Sequence, residues 1–247
     1  MASQISAKVR ETPDIETSSD RYASRFSGKV GRYLLAVQEA GLISLLGLWP
    51  VSGNHVLDVG GGHAQLCAPL LKQGYLVSII GSDQSCAQRA RMLYGNAVAF
   101  YEGDLQQLPF ADFQFDIVTS VRLISHIEGR ETLVSELCRV AKKTVIIDYP
   151  TYASLNILSL ITFPLKKLIE KNTRTYHTFW DRDISRMFNE RGFVVTAEYR
   201  QFTLPMALHR LFANTVFVRA VEEILRKIGV TKFMGNPVLL RLDRSDQ

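Results

Sequence analysis

Two aspartates, a glycine triplet, an arginine and a histidine stand where chemistry is easiest to place. Residues 56–64 read Val-Leu-Asp-Val-Gly-Gly-Gly-His-Ala. An apolar run carrying Asp58 breaks into Gly60, Gly61 and Gly62, and apolar residues resume at helical spacing at Ala64, Leu66, Cys67, Leu70 and Leu71. The pattern predicts strand, tight turn, helix. Glycines permit positive φ and remove side chains, so a ligand could lie against bare backbone. The N–H groups that open the helix would point at the same spot. Asp83 follows at the tip of the next apolar run, 25 residues after Asp58, where an acid is placed to accept sugar hydroxyls. It is also placed to cap a helix starting near Gln84. His126 could take a proton from a hydroxyl or an acidic carbon, or simply hold its loop by hydrogen bonds. Arg122, nearby, could hold an anion or be a surface charge.

These groups need a frame, and the chain alternates in the way a parallel sheet requires. Strands are expected over 55–59, 76–80, 98–101, 115–121 and 144–148, with helices over 63–73, 84–94 and 130–140. A further helix over 181–190, with Asp181 as N-cap, precedes a strand over 193–199, and a last strand spans 237–242. Residues 1–20 are polar and aperiodic, and are expected to form a flexible tail. From Tyr22 to Leu48 apolar residues recur at helical spacing; two helices broken near Gly28–Gly31 and Gly41 are expected, with Tyr22 and Arg25 able to reach a ligand or merely to solvate an edge. Residues 155–171 join an apolar half to Lys166, Lys167 and Lys171. Such a helix suits a lid, a core element or a membrane surface. Another helical stretch covers 203–230.

Composition narrows the classes. The chain has 247 residues, 47% of them hydrophobic, and a net charge of +5. That suits one α/β unit with additions. The charge is spread out, unlike the clustered basic face that nucleic-acid binding needs. Cys67, Cys86 and Cys138 are isolated and lack metal spacing, which fits reduced thiols of a cytoplasmic protein. No His/Asp cluster has ligand spacing, so no metal is expected. Leu155–Leu165 is too short and too polar to span a bilayer. There are no internal repeats and no low-complexity linker.

Two readings of the glycine turn compete. A nicotinamide-dinucleotide fingerprint needs glycine at the sixth position, which is Gln65 here. Asp58, Gly60, Gly62 and Ala64 instead resemble the first motif of class I S-adenosylmethionine-dependent methyltransferases. The stretch from Gly103-Asp104-Leu105 through Leu108-Pro109-Phe110 to Phe115-Asp116-x-Val118 is similar to type 11 members, which include methyltransferases of quinone precursors. The resemblance implies a Rossmann-like doubly wound seven-stranded α/β sheet, order 3-2-1-4-5-7-6 with the last strand antiparallel. Helices over 21–50, expected as a lid, and over 151–180 and 203–235 are additions that the resemblance covers poorly, and the one between the last two strands departs from the minimal family plan. It implies S-adenosyl-L-methionine as cofactor, with Asp58, Gly60, Gly61, Gly62, Asp83, Gln84, Asp104, Leu105 and Ser120 around it. Asp104 would meet the adenine amino group and Leu105 its apolar face, while Asp116 would be structural. The acceptor would be a small-molecule substrate, lipophilic or not, facing His126 and Arg122, with Arg174, Tyr176 and His177 as further contacts. A cofactor-binding scaffold without turnover is the rival. Oligomeric state and peripheral membrane contact stay open.

Overall fold

The computed structural model describes residues 10–47, 54–154, 176–211 and 215–245. Seven strands form one sheet: β1 (His55–Val59), β2 (Leu76–Gly81), β3 (Val98–Glu102), β4 (Phe115–Ser120), β5 (Ala141–Tyr149), β6 (Phe193–Phe202) and β7 (Asn236–Arg244). Their order is β3-β2-β1-β4-β5-β7-β6. β1 to β5 run parallel, while β7 runs antiparallel to both β5 and β6. The central strands are near-continuous apolar runs because both faces of the sheet are covered.

The helices are α1 (Pro13–Ser18), α2 (Asp20–Ala23), α3 (Gly28–Leu46), α4 (Cys67–Lys72), α5 (Ala87–Tyr94), α6 (Arg130–Val140), α7 (Asp181–Asn189), α8 (Met206–Leu211), α9 (Thr215–Lys227) and α10 (Val230–Met234). One core cluster runs from Leu57 and Val118 through α6 and α7; a second joins Leu42, Leu45 and Leu46 of α3 to Val56, Val77, Ile146 and Leu239. Asp116, as expected, is structural: its carboxylate meets Lys143 Nζ at 3.4 Å and accepts the His55 N–H at 3.3 Å.

Four expectations are corrected. Residues 10–20 are not a loose tail: α1 is helical and Asp14 is fully buried. α3 is one helix, not two, and runs straight through both glycines. A Cβ at Gly31 would strike the Phe26 backbone, and one at Gly41 the Tyr199 ring, so these glycines serve packing rather than breaks. The helix after the glycine turn starts only at Cys67, because Ala64 at φ +57 holds residues 61–66 in a turn. Trp180, not Asp181, is the N-cap of α7. Asp181 is instead consumed by Tyr149, Thr151 and Arg200, whose side chains all donate to it. The helix expected over 155–171 and Arg174 lie outside the described residues.

Candidate active site

The glycine turn sits at the C-terminal edge of β1, where a doubly wound sheet places its ligands. Gly60 adopts φ +73 and its N–H donates to Ile80 O at 2.9 Å. Beneath the turn Asp58 is buried and accepts the Thr119 hydroxyl at 2.8 Å. Burial pushes its carboxyl up to about 7, with the Thr119 bond pulling the other way. A Cβ on Gly61 would collide with that carboxylate. His63, next in the turn, is buried edge-on against Tyr22 and Phe26. Burial, and then Arg122 and Arg89, hold its imidazole down to about 4, so it is neutral.

Buried polar atoms without partners gather here: both His63 ring nitrogens, Gln65 Oε1, Ser120 Oγ and Arg122 Nη1. Buried polar groups are nearly always paired, so this concentration marks a place where a polar ligand can supply what the chain does not.

The outer half of the turn is occupied by the chain itself. Asp14 of α1 accepts the Ser82 N–H at 2.7 Å and also the Ser82 hydroxyl, and Cys86 Sγ–H donates to it at 3.4 Å. Arg10 donates to Ser82 O at 2.6 Å and to Gly103 O. Glu11 accepts the N–H groups of Glu128 (2.6 Å) and Gly129 (2.9 Å) and the Gln106 amide at 2.8 Å. A Cβ at Gly62 would collide with Ser18 Oγ. Residues 10–18 therefore strap the tips of β2 and β3 to the glycine turn. The space remaining beside Asp58, Gly60, Gly61 and His63 is about 10 Å³.

Asp83 accepts the Ser85 N–H at 2.8 Å, capping the turn before α5, and the Ser85 side chain, then its N–H, lower the Asp83 carboxyl. Gln84 accepts from Arg91 at 2.9 Å. Asp104 accepts the Gln106 N–H at 2.8 Å, and Leu105 is fully buried in the main core cluster.

A larger cavity of about 500 Å³ lies on the other side of Arg122, lined by Tyr22, Phe26, His126, Asp148, Tyr176 and Gln201 among others. His126 ends a short turn after β4, with its ring 5.5 Å from that of Tyr176. Arg122 is no surface charge. Its guanidinium lies 4.0 Å over the Phe26 ring and donates to Gln38 at 2.6 Å. Its backbone takes φ +63 so that its N–H can reach Asp148 at 2.6 Å. Burial pushes the Asp148 carboxyl up to about 6. His177 is drawn away to Glu128 at 3.1 Å. Tyr22 and Arg122 line both spaces.

The comparisons with known proteins meet this geometry directly. A family model described as "Methyltransferase domain" matches residues 57–147, which hold the glycine turn and the β4 tip. Residues 57–147 are thus similar to that family. Relatives of the chain include norajmaline N-methyltransferase of Rauvolfia serpentina, 29% identical over 42% of this chain and 38% of that protein. O-methyltransferase resE of Aspergillus sclerotiorum is 26% identical over 58% of this chain and 51% of its own. The ubiquinone/menaquinone biosynthesis C-methyltransferase UbiE of Pseudomonas fluorescens is 26% identical over 64% and 72%. The chain thus spans half or less of the length of the first two of these. Among solved structures, magnesium protoporphyrin IX methyltransferase of Synechocystis with bound SAH superposes at TM-score 0.64 with 18% identity, covering 93% of this chain and 96% of that one. At that identity the likeness speaks for the fold of the methyltransferase domain and its flanks.

Sequence reasoning missed Arg10, Glu11, Asp14, His63, Asp148 and Gln201. For Asp148 a signal existed: it ends β5 as Asp83 follows β2, at the edge where ligands bind. For the strap there was none, since its partners are backbone and side-chain groups far away in the chain.

Proposed function

We propose that the protein transfers a methyl group from S-adenosyl-L-methionine to a small acceptor seated in the 500 Å³ cavity. The observation that carries this is the shared wall: Tyr22 and Arg122 line both the glycine turn and the larger cavity, so donor and acceptor would meet across them. The residues present fit the cofactor. The unpaired atoms of His63, Gln65, Ser120 and Arg122 await polar partners, and Ser18 of the strap is what stands against Gly62. Gly60, Gly61 and Arg122 would hold the amino-acid end, Asp83 and Gln84 the ribose, Asp104 and Leu105 the adenine. Residues 10–18 must lift for this, because ligand pockets of this kind need about 300 Å³ or more.

The cofactor supplies an activated methyl bound to a cationic sulfur. The protein's share is alignment, which can contribute roughly 7–11 kcal/mol. When bound, the cofactor would give its methyl to the acceptor atom and keep the electron pair of the broken bond on sulfur, and His126 or Asp148 would take any proton that the acceptor loses. The acceptor reading is a small molecule rather than nucleic acid, in a cytoplasmic setting. No helix among the described residues is long and apolar enough to cross a membrane.

The test is isothermal titration with S-adenosylhomocysteine. Asp83→Ala should weaken binding at least tenfold, and unchanged affinity removes the ribose assignment. Release of S-adenosylhomocysteine across quinols, phenols, amines and lipids then separates an enzyme from a scaffold. In that assay His126→Ala should lower turnover while leaving cofactor affinity intact.

A further inference from the structure

The outer face of α9 and α10 is apolar, and it stands exposed among the described residues. Val216, Phe217, Ile224 and Ile228 are 74%, 62%, 57% and 67% exposed, and Phe233 of α10 is 70% exposed. Positions 216, 217, 220, 224 and 228 fall on one side of the helix, with exposed Ala220 between the larger residues. This is not a face that rotation could bury. The opposite side is pinned: Glu222 accepts the N–H groups of Thr203 (3.0 Å) and Leu204 (2.9 Å) and pairs with His209 at 3.1 Å, while Val218 packs inward. α9 therefore carries its carboxylate inside and its hydrophobes outside.

Charge decides what fits there. Over 215–234 the exposed ionic side chains are Arg219, Arg226, Lys227 and Lys232 against Glu223 alone. The two arginines lie over Tyr33 and Tyr199, so they rim the face rather than cross it. A second copy of this chain would set one such cationic rim against another, which a two-fold contact cannot avoid. A rigid partner would need grooves for side chains that stand more than half clear of the surface. A fluid lipid layer needs neither, and an apolar helix face edged with Lys and Arg is the form that lies in the interface of an anionic bilayer.

We propose that α9 and α10 dock this protein on an anionic lipid surface, with Phe217, Ile224, Ile228 and Phe233 entering the acyl boundary and Lys227 and Lys232 at the headgroups. Met206 and Asn236, which flank α8–α10 in the chain, line the 500 Å³ cavity. The docking itself does not depend on the transfer reaction.

The experiment is vesicle co-sedimentation of the full chain, using phosphatidylcholine alone and phosphatidylcholine with about one third phosphatidylglycerol. The protein should pellet with the anionic vesicles and lose binding as salt is raised. Phe217→Glu combined with Ile224→Glu should reduce that binding at least tenfold. Lys227→Glu combined with Lys232→Glu should reduce it several-fold and remove the salt dependence. All four positions are exposed, so the melting temperature should hold, and either pair serves if the other does not fold. Failure of the parent protein to pellet with anionic vesicles, or pelleting of both variant pairs as strong as the parent's, overturns the proposal. So does a dimer in sedimentation velocity that the Phe217/Ile224 variant dissociates, which would make the face a contact between copies.

Discussion

Replacing Asp14 by alanine should make the protein bind its cofactor more tightly, although nothing is added to the site. Asp14 is fully buried, and its carboxylate holds the strap on the β2 tip through the Ser82 N–H at 2.7 Å, the Ser82 hydroxyl and the Cys86 thiol. Hydrogen bonds to a charged group contribute about 1.5–3 kcal/mol each, and they are not additive. A loss of about 2 kcal/mol from the strapped arrangement is a moderate figure. When only the lifted form accepts ligand, the apparent dissociation constant is the intrinsic one divided by the lifted fraction. Two kcal/mol then raises affinity roughly thirtyfold. Titration calorimetry with S-adenosylhomocysteine reads this directly. Hydrogen exchange gives an independent reading: amides of residues 14–18 and Ser82 should exchange faster in the variant, and faster in the parent protein once ligand is added. An affinity that is unchanged or weaker in Asp14→Ala would refute the reasoning, because the strap would then be part of the ligand's own binding surface.

Two further outcomes follow from buried carboxyls. Asp58 has its folded pKa raised by burial to about 7, so the folded state keeps a proton that the unfolded chain releases near pH 4. Its contribution is therefore most favourable at low pH and declines as pH rises through that window, by a few kcal/mol in all. Asp58→Asn should flatten the fall in melting temperature between about pH 4 and about pH 7, and parallel curves for the two proteins would contradict this. Glu222 sits in the opposite regime. Burial raises its carboxyl, but His209, Thr203 and Leu204 together bring it below the ordinary value. Glu222→Leu strands three donors and should cost about 3–5 kcal/mol of stability by denaturant unfolding, since an uncompensated buried group is expensive; a loss under 1 kcal/mol would show that α9 is not pinned there.

The parallel half of the sheet was readable because most of its strands are apolar runs closed by a glycine or an acid, as in Val56–Gly60 and Leu76–Asp83. Strand positions agreed within a few residues, and the antiparallel β7 followed from the resemblance rather than from its own pattern. What escaped were features fixed by tertiary contacts. Gly31 and Gly41 look like helix breakers locally, but each gives room to a neighbour, Phe26 or Tyr199. Arg10, Glu11 and Asp14 look like solvated charges, yet their partners are amides, carbonyls and side chains roughly 70 to 120 residues away. His126 could be placed on the cavity from its position after β4, whereas Gln201, on the far strand β6, could not.

Arg122 constrains how such a protein can change. It ties three places together: its N–H to β5 at Asp148, its guanidinium to α3 at Gln38, and its face to Phe26. Because it partitions the two chambers, any replacement would disturb both occupants at once. Adaptation to a new substrate is thereby steered to the distant wall, where Gln201, Met206 and Asn236 can vary without touching the common donor.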